Sequence, residues 1–146
     1  MNQKIVLFIG TGQIGKAILN KIMLNNPMKV IIHNLTEEES NFVCAKYKEM
    51  YPNIEFISSY GNIFMPYNLK DLNNRNLYDK SEDIINYFYC EINQSILEKS
   101  TIVTLIKKYN PTLIIDAINT ATVLGNAYNP EYNFKCYCED PNSSSK

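Results

Sequence analysis

The run Lys4-Ile5-Val6-Leu7-Phe8-Ile9 leads without a polar break into Gly10-Thr11-Gly12-Gln13-Ile14-Gly15, after which apolar residues recur at helical spacing. Nothing else in the chain restricts its fold as strongly. A short continuous apolar run rich in β-branched residues predicts a strand covered on both faces. Beyond the glycines, Ile14, Ala17, Ile18 and Ile22 predict a helix with that stripe turned inward. Asn25-Asn26-Pro27 ends it, because proline disfavours helical geometry in the residue before it.

The same unit then repeats. Met28 to Ile32 predicts a second buried strand. Thr36-Glu37-Glu38-Glu39 has the form of a capping box, in which the Thr36 hydroxyl accepts from the Glu39 N–H while the Glu39 carboxylate reaches back. A helix to about Met50 is expected, with Phe42, Val43, Tyr47 and Met50 on one side, then a break at Tyr51-Pro52-Asn53 and a third strand over Ile54 to Ser59. The polar, Asn-rich stretch from Gly61 to Lys80 is long for a connection and predicts a functional or flexible loop. Ser81-Glu82-Asp83 caps a further helix with Ile85, Phe88, Ile92 and Ile96 along one face. Ser100-Thr101 opens a shorter one carrying Ile102, Leu105, Ile106 and Tyr109, which Asn110-Pro111 ends. Thr112 to Ala117 is the fourth strand, and the tail from about Tyr132 is expected to be disordered. Strands alternating with helices and no hairpin turns imply an α/β fold, a parallel sheet with right-handed crossovers. The 146 residues suit one domain, expected over residues 1–131.

Composition removes several classes. Fourteen Lys and Arg against 15 Asp and Glu leave a net charge of -1, so the positive excess of a nucleic-acid binder is missing. A hydrophobic share of 45% is too high for a disordered chain. No apolar run approaches the roughly 18 residues of a membrane span, and the N-terminus lacks the form of a signal peptide, so the expectation is a cytoplasmic protein without membrane contact. Cys44, Cys90, Cys136 and Cys138 do not make a dense framework and are expected as thiols. Cys136-Tyr137-Cys138 is closer than zinc-ligand spacing and has no second pair.

Each glycine in the first turn has a mechanical role. Gly10 permits the tight exit from the strand, Gly12 lets a pyrophosphate approach bare backbone, and Gly15 lets the helix lie close to the sheet. The N–H groups near Gln13 and Ile14 then point at phosphate oxygens, aided by the helix dipole. A G-x-G-x-x-G placed between a strand and a helix in a βαβ unit is the fingerprint of dinucleotide binding, and NAD or NADP is the expected cofactor. The alternative for these glycines is a tight turn with no cofactor. An acid at the end of the second strand would favour NAD, but the residues there are His33-Asn34-Leu35, and Glu37 is expected to belong to the next helix. Asn34 can hydrogen-bond a ribose 2′-hydroxyl without repelling a phosphate, or can serve as a turn residue. No Arg lies nearby to mark NADP, so the cofactor's phosphate preference is left open at this stage.

Residues Ile5 to Gly15 resemble the start of the short-chain dehydrogenase/reductases, in particular their extended, epimerase-like branch. Tyr60-Gly61-Asn62-Ile63 is similar to that family's Gly-Asp-Leu stretch, with Asn62 where an acid contacts the adenine amino group. Pro111 to Ala121 is similar to the family's fourth strand and the turn after it, where Ala117 and Asn119 would lie over the cofactor ribose. The resemblance covers about residues 4 to 130. It implies a Rossmann-like sheet in the order 3-2-1-4, with Gly10, Thr11, Gly12, Gln13, Ile14, Gly15, Asn34, Asn62, Ala117 and Asn119 around a dinucleotide. Two features depart from the pattern. Ile9 stands where the family has its first glycine, and no Lys has a Tyr four residues before it, so the family's catalytic Tyr-x-x-x-Lys pair is missing. The expectation is therefore an incomplete, first-half fold: the NAD(P)-binding portion of an oxidoreductase, without the catalytic half. A non-catalytic dinucleotide-sensing regulatory domain is the alternative. The fourth strand is expected as an uncovered edge through which the chain could associate with itself.

Overall fold

The structure, a computed structural model, describes residues 4–70, 82, 87 and 93–118. The first apolar run forms β1 (Ile5–Ile9), followed by α1 (Gln13–Met23), β2 (Lys29–Asn34), α2 (Glu37–Met50) and β3 (Glu55–Tyr60). Then come a 3-10 turn at Tyr67–Leu69, the short α3 (Gln94–Lys99), α4 (Thr101–Tyr109) and β4 (Leu113–Asp116). All three strand pairings are parallel, and the sheet order is β3-β2-β1-β4. This is the expected α/β, Rossmann-like arrangement in its partial form.

Strand periodicity divides the core in two. Val6 and Phe8 of β1 with Val30 and Ile32 of β2 face one way, where they meet Leu19 and Met23 of α1 and Val43, Cys44 and Tyr47 of α2. Leu7, Ile9 and Ile31 face the other way, against Leu105 of α4 and Ile63. Both central strands are thus covered on both faces, as their unbroken apolar runs require. β4 lies at the edge among the described residues, and its Leu113 and Ile114 are each 42% exposed.

Two helix faces differ from the sequence expectation. In α1 the buried residues are Gly15, Leu19 and Met23, while Ile14 is 74% exposed and Ile18 is also exposed. The glycine decides this: only the bare Gly15 can approach the strand-exit turn, so its neighbours one and two turns on face the sheet. In α2 the buried stripe is Ser40, Val43, Cys44 and Tyr47, and Phe42 and Met50 lie outside it. Ser40 holds that register because its hydroxyl donates to the Ser59 carbonyl (2.6 Å) and accepts from the Asn34 N–H (3.1 Å).

A third difference concerns Ile96. It does not continue a helix begun near Ser81 but sits in α3, which starts afresh where the Asn93 side chain accepts from the Ile96 N–H. In α4 it is Thr101 and Leu105 that are buried, and Ile102 is exposed. The expected Ser100 cap and Asn110 end are both present, Asn110 in the left-handed region at φ 44°. Residues 61–70 are packed: Ile63, Met65 and Leu69 are buried, and Thr101 donates through its N–H and hydroxyl to the Met65 carbonyl. The expected helix residues Ile85, Phe88 and Ile92, the cysteines 90, 136 and 138, and the tail lie outside the described residues.

Candidate functional site

The carboxyl ends of β1, β2 and β4 open into a cleft of about 930 Å³. Its floor is the Gly10 to Gly15 turn, and its walls include His33, Asn34, Leu35, Glu39, Gly61, Asn62, Phe64 and Ala117. Parallel α/β sheets place ligands at this end, between strands that turn away in opposite directions. A volume of this size suits a ligand as large as a dinucleotide.

The turn is built by close approaches of backbone. Gly10 has φ +84°, and a Cβ there would stand 3.1 Å from the Ile118 nitrogen and 3.2 Å from the Ala117 carbonyl. Its N–H donates to the His33 carbonyl at 2.8 Å, tying the β1 exit to β2. A Cβ on Gly15 would collide with the Gly10 carbonyl oxygen and stand 3.5 Å from the Ala117 Cβ, so β4's end, the turn and α1 meet there. Gly12 is the opposite case. It has an ordinary φ of −62°, and a Cβ built on it meets nothing within 4 Å. No side chain caps α1, no acid lies in its first turn, and the first intrahelical bond is Lys16 N–H to the Gly12 carbonyl at 2.9 Å. Helix geometry leaves the N–H groups of Gln13, Ile14 and Gly15 without partners in the helix, beside the partial positive charge of its dipole. The Ile14 side chain lines the cleft and is mostly exposed.

Asn34, at the end of β2, is 7% exposed and is turned toward the glycine turn. Its Oδ1 accepts from the Thr11 N–H at 2.8 Å and from the Thr11 hydroxyl at 2.9 Å. A backbone N–H only donates, which fixes the amide's orientation. Both lone pairs of Oδ1 are therefore used, and its buried Nδ2 has no hydrogen-bond partner. Asn62 is likewise engaged: its Oδ1 accepts from the Phe64 N–H at 3.0 Å in a local turn, and its own N–H donates to the Lys70 carbonyl.

His33 is buried between Ser59 Oγ and the Gly61 carbonyl, each 3.0 Å from a ring nitrogen. The carbonyl only accepts, so Nε2 carries the proton and Nδ1 accepts from the Ser59 hydroxyl. Burial holds this imidazole's pKa down at about 4, against the Gly61 hydrogen bond, which raises it. It is a neutral wall of the cleft at physiological pH. Lys70 Nζ donates to the Tyr60 carbonyl at 3.1 Å and sits 4.0 Å from the Tyr60 ring centre.

The structure thus brings together Gly10, Thr11, Gly12, Gln13, Ile14, Gly15, Asn34, Asn62 and Ala117 around one cleft; Asn119 lies outside the described residues. Sequence reasoning missed Glu39, Leu35 and Phe64 as wall residues. Glu39 had a usable signal. As the third residue after the Thr36 cap it falls in the first turn of α2, next to the β2 end. Thr36 accepts from its N–H at 3.3 Å, but the return bond from its carboxylate is not among the hydrogen bonds of the described residues. Among the described residues no group of His, Cys, Asp and Glu is arranged to hold a metal, and no helix is long and apolar enough to cross a membrane. Comparison with known proteins finds no matching family model, no matching curated protein and no matching solved structure.

Proposed function

We propose that this chain binds a dinucleotide of the NAD(P) type in the cleft, as the cofactor-binding portion of an oxidoreductase resembling the short-chain dehydrogenase/reductases. The observation that carries this reading is the open space over Gly12 beside the uncapped start of α1. A diphosphate needs backbone that it can touch and N–H groups that nothing else occupies, and the turn supplies both. The residues fit the rest of the molecule as well. Asn34 and Thr11 hold the turn's shape, Leu35 and Phe64 offer exposed apolar surface to a base, and Ala117 stands where β4 ends beside the turn.

When bound, such a cofactor supplies hydride transfer to or from a carbonyl or hydroxyl carbon. The described residues contribute binding and orientation to that chemistry. The test is calorimetric titration of the full chain with NAD+ and NADP+, alone and with Gly12→Val. Saturable binding of at least one dinucleotide, abolished by Gly12→Val in a protein that still melts cooperatively, supports the reading. Absence of binding by both, or binding that Gly12→Val leaves unchanged, refutes it.

A further inference from the structure

The end of β2 is where a Rossmann-like cleft meets the adenosine ribose, and an acceptor there reads the ribose hydroxyls. Asn34 has none to give, because its Oδ1 already takes two hydrogen bonds from Thr11. What it has left is Nδ2, a buried donor without a partner. Glu39, an exposed residue in the first turn of α2, lines this wall and carries an acceptor carboxylate. We propose that Glu39 accepts the hydroxyls of the adenosine ribose and restricts the cleft to an unphosphorylated ribose, NAD(H) over NADP(H). This rests on the dinucleotide reading above.

The chemistry separates the two cofactors cleanly. A ribose diol has two O–H donors, and a carboxylate has two oxygens that accept them side by side. A 2′-phosphate replaces one donor with a group bearing about −1.5 to −2 charge and only acceptors near neutral pH. Beside Glu39 that group meets like charge, and Glu37 and Glu38 on the same turn add to it. The positive end of the α2 dipole favours an anion, but those three carboxylates already sit on it. His33, on the same side of the cleft, is neutral and offers no compensation.

The test uses the full chain at low ionic strength, with NAD+ and NADP+ titrated into wild type, Glu39→Gln, Glu39→Arg and Glu37→Gln, and melting followed in parallel. Expected is an affinity for NAD+ at least about tenfold above that for NADP+, a gap that narrows with added salt. Glu39→Gln should narrow it and Glu39→Arg should close or invert it, whereas Glu37→Gln, outside the wall, should change it far less. Equal binding of the two dinucleotides by wild type, tighter binding of NADP+, or an equal effect of Glu37→Gln and Glu39→Gln overturns the assignment of Glu39 while leaving dinucleotide binding intact. No binding of either overturns both.

Discussion

Replacing Gly15 with alanine should destabilise the protein, although alanine is the better helix former. On an open helix the exchange would gain about 0.5–1 kcal/mol. Here the new Cβ falls inside the contact radius of the Gly10 carbonyl oxygen and 3.1 Å from its carbon, and backbone cannot rotate out of the way as a side chain can. Relief requires the first turn of α1 to back off the β1 exit by something on the order of 1 Å, which loosens Leu19 and Met23 on the same face. Overpacking of this severity costs more than the helical gain, and the net loss should be about 2–4 kcal/mol. For a domain near this size that lowers Tm by about 5–15 °C. Gly12→Ala is the internal control. Its φ is ordinary and its Cβ meets open space, so stability should stay within about 0.5 kcal/mol of wild type. Urea unfolding of the three proteins, with unchanged m-values, measures both differences. A Gly15→Ala protein as stable as wild type, or a Gly12→Ala protein equally weakened, would refute the packing argument.

Asn34→Leu should cost on the order of 2–4 kcal/mol in urea unfolding, because two Thr11 donors lose their acceptor in a buried place. A stability near wild type would mean that the Asn34–Thr11 pair does not hold the turn. Ser40→Ala should cost about 1–3 kcal/mol, since it strips a partner from both the Asn34 N–H and the Ser59 carbonyl. A change under the error of the same measurement would contradict that role. The chain has one histidine, and its pKa is about 4 folded against 6.5 as the ordinary value. The unfolded chain therefore takes up the proton first, so the stability from neutral His33 is full above pH 6.5. It is lost as pH falls toward 4, by on the order of 2 kcal/mol. His33→Gln should flatten that part of the profile, and identical pH slopes for the two proteins between 6.5 and 4 would refute the assignment.

The strands and the glycine turn were legible because they rest on local signals, whereas the strand order was implied by the family resemblance. Apolar runs without alternation mark strands buried twice, and the turn's glycines sit at the handover from strand to helix. Helix faces were less legible. Counting apolar residues favoured Ile14 and Ile18, yet the sheet takes the face of the one residue that can approach closely, Gly15. Phe42 likewise outweighed Ser40 as a core candidate, although Ser40's two hydrogen bonds hold α2 against β2 and β3. The start of α3 at Asn93 was hidden by composition, because a chain with 20 Asn offers caps almost everywhere. Within the cleft, the glycine turn, Asn34, Asn62 and Ala117 came from sequence, but their partners and the wall residues Leu35, Glu39 and Phe64 did not. Which atom of Asn34 meets Thr11 depends on how the ends of β1 and β2 stand side by side, and Glu39 reads as a capping residue until α2 is seen against that wall.

The most direct measurement is the amide spectrum of uniformly 15N-labelled full chain titrated with NAD+. Saturable shifts should centre on the N–H groups of Gly12, Gln13, Ile14 and Gly15, all following one binding curve. A titration that leaves those four amides unmoved, while others shift or none do, would contradict the claim that the bare turn holds a diphosphate.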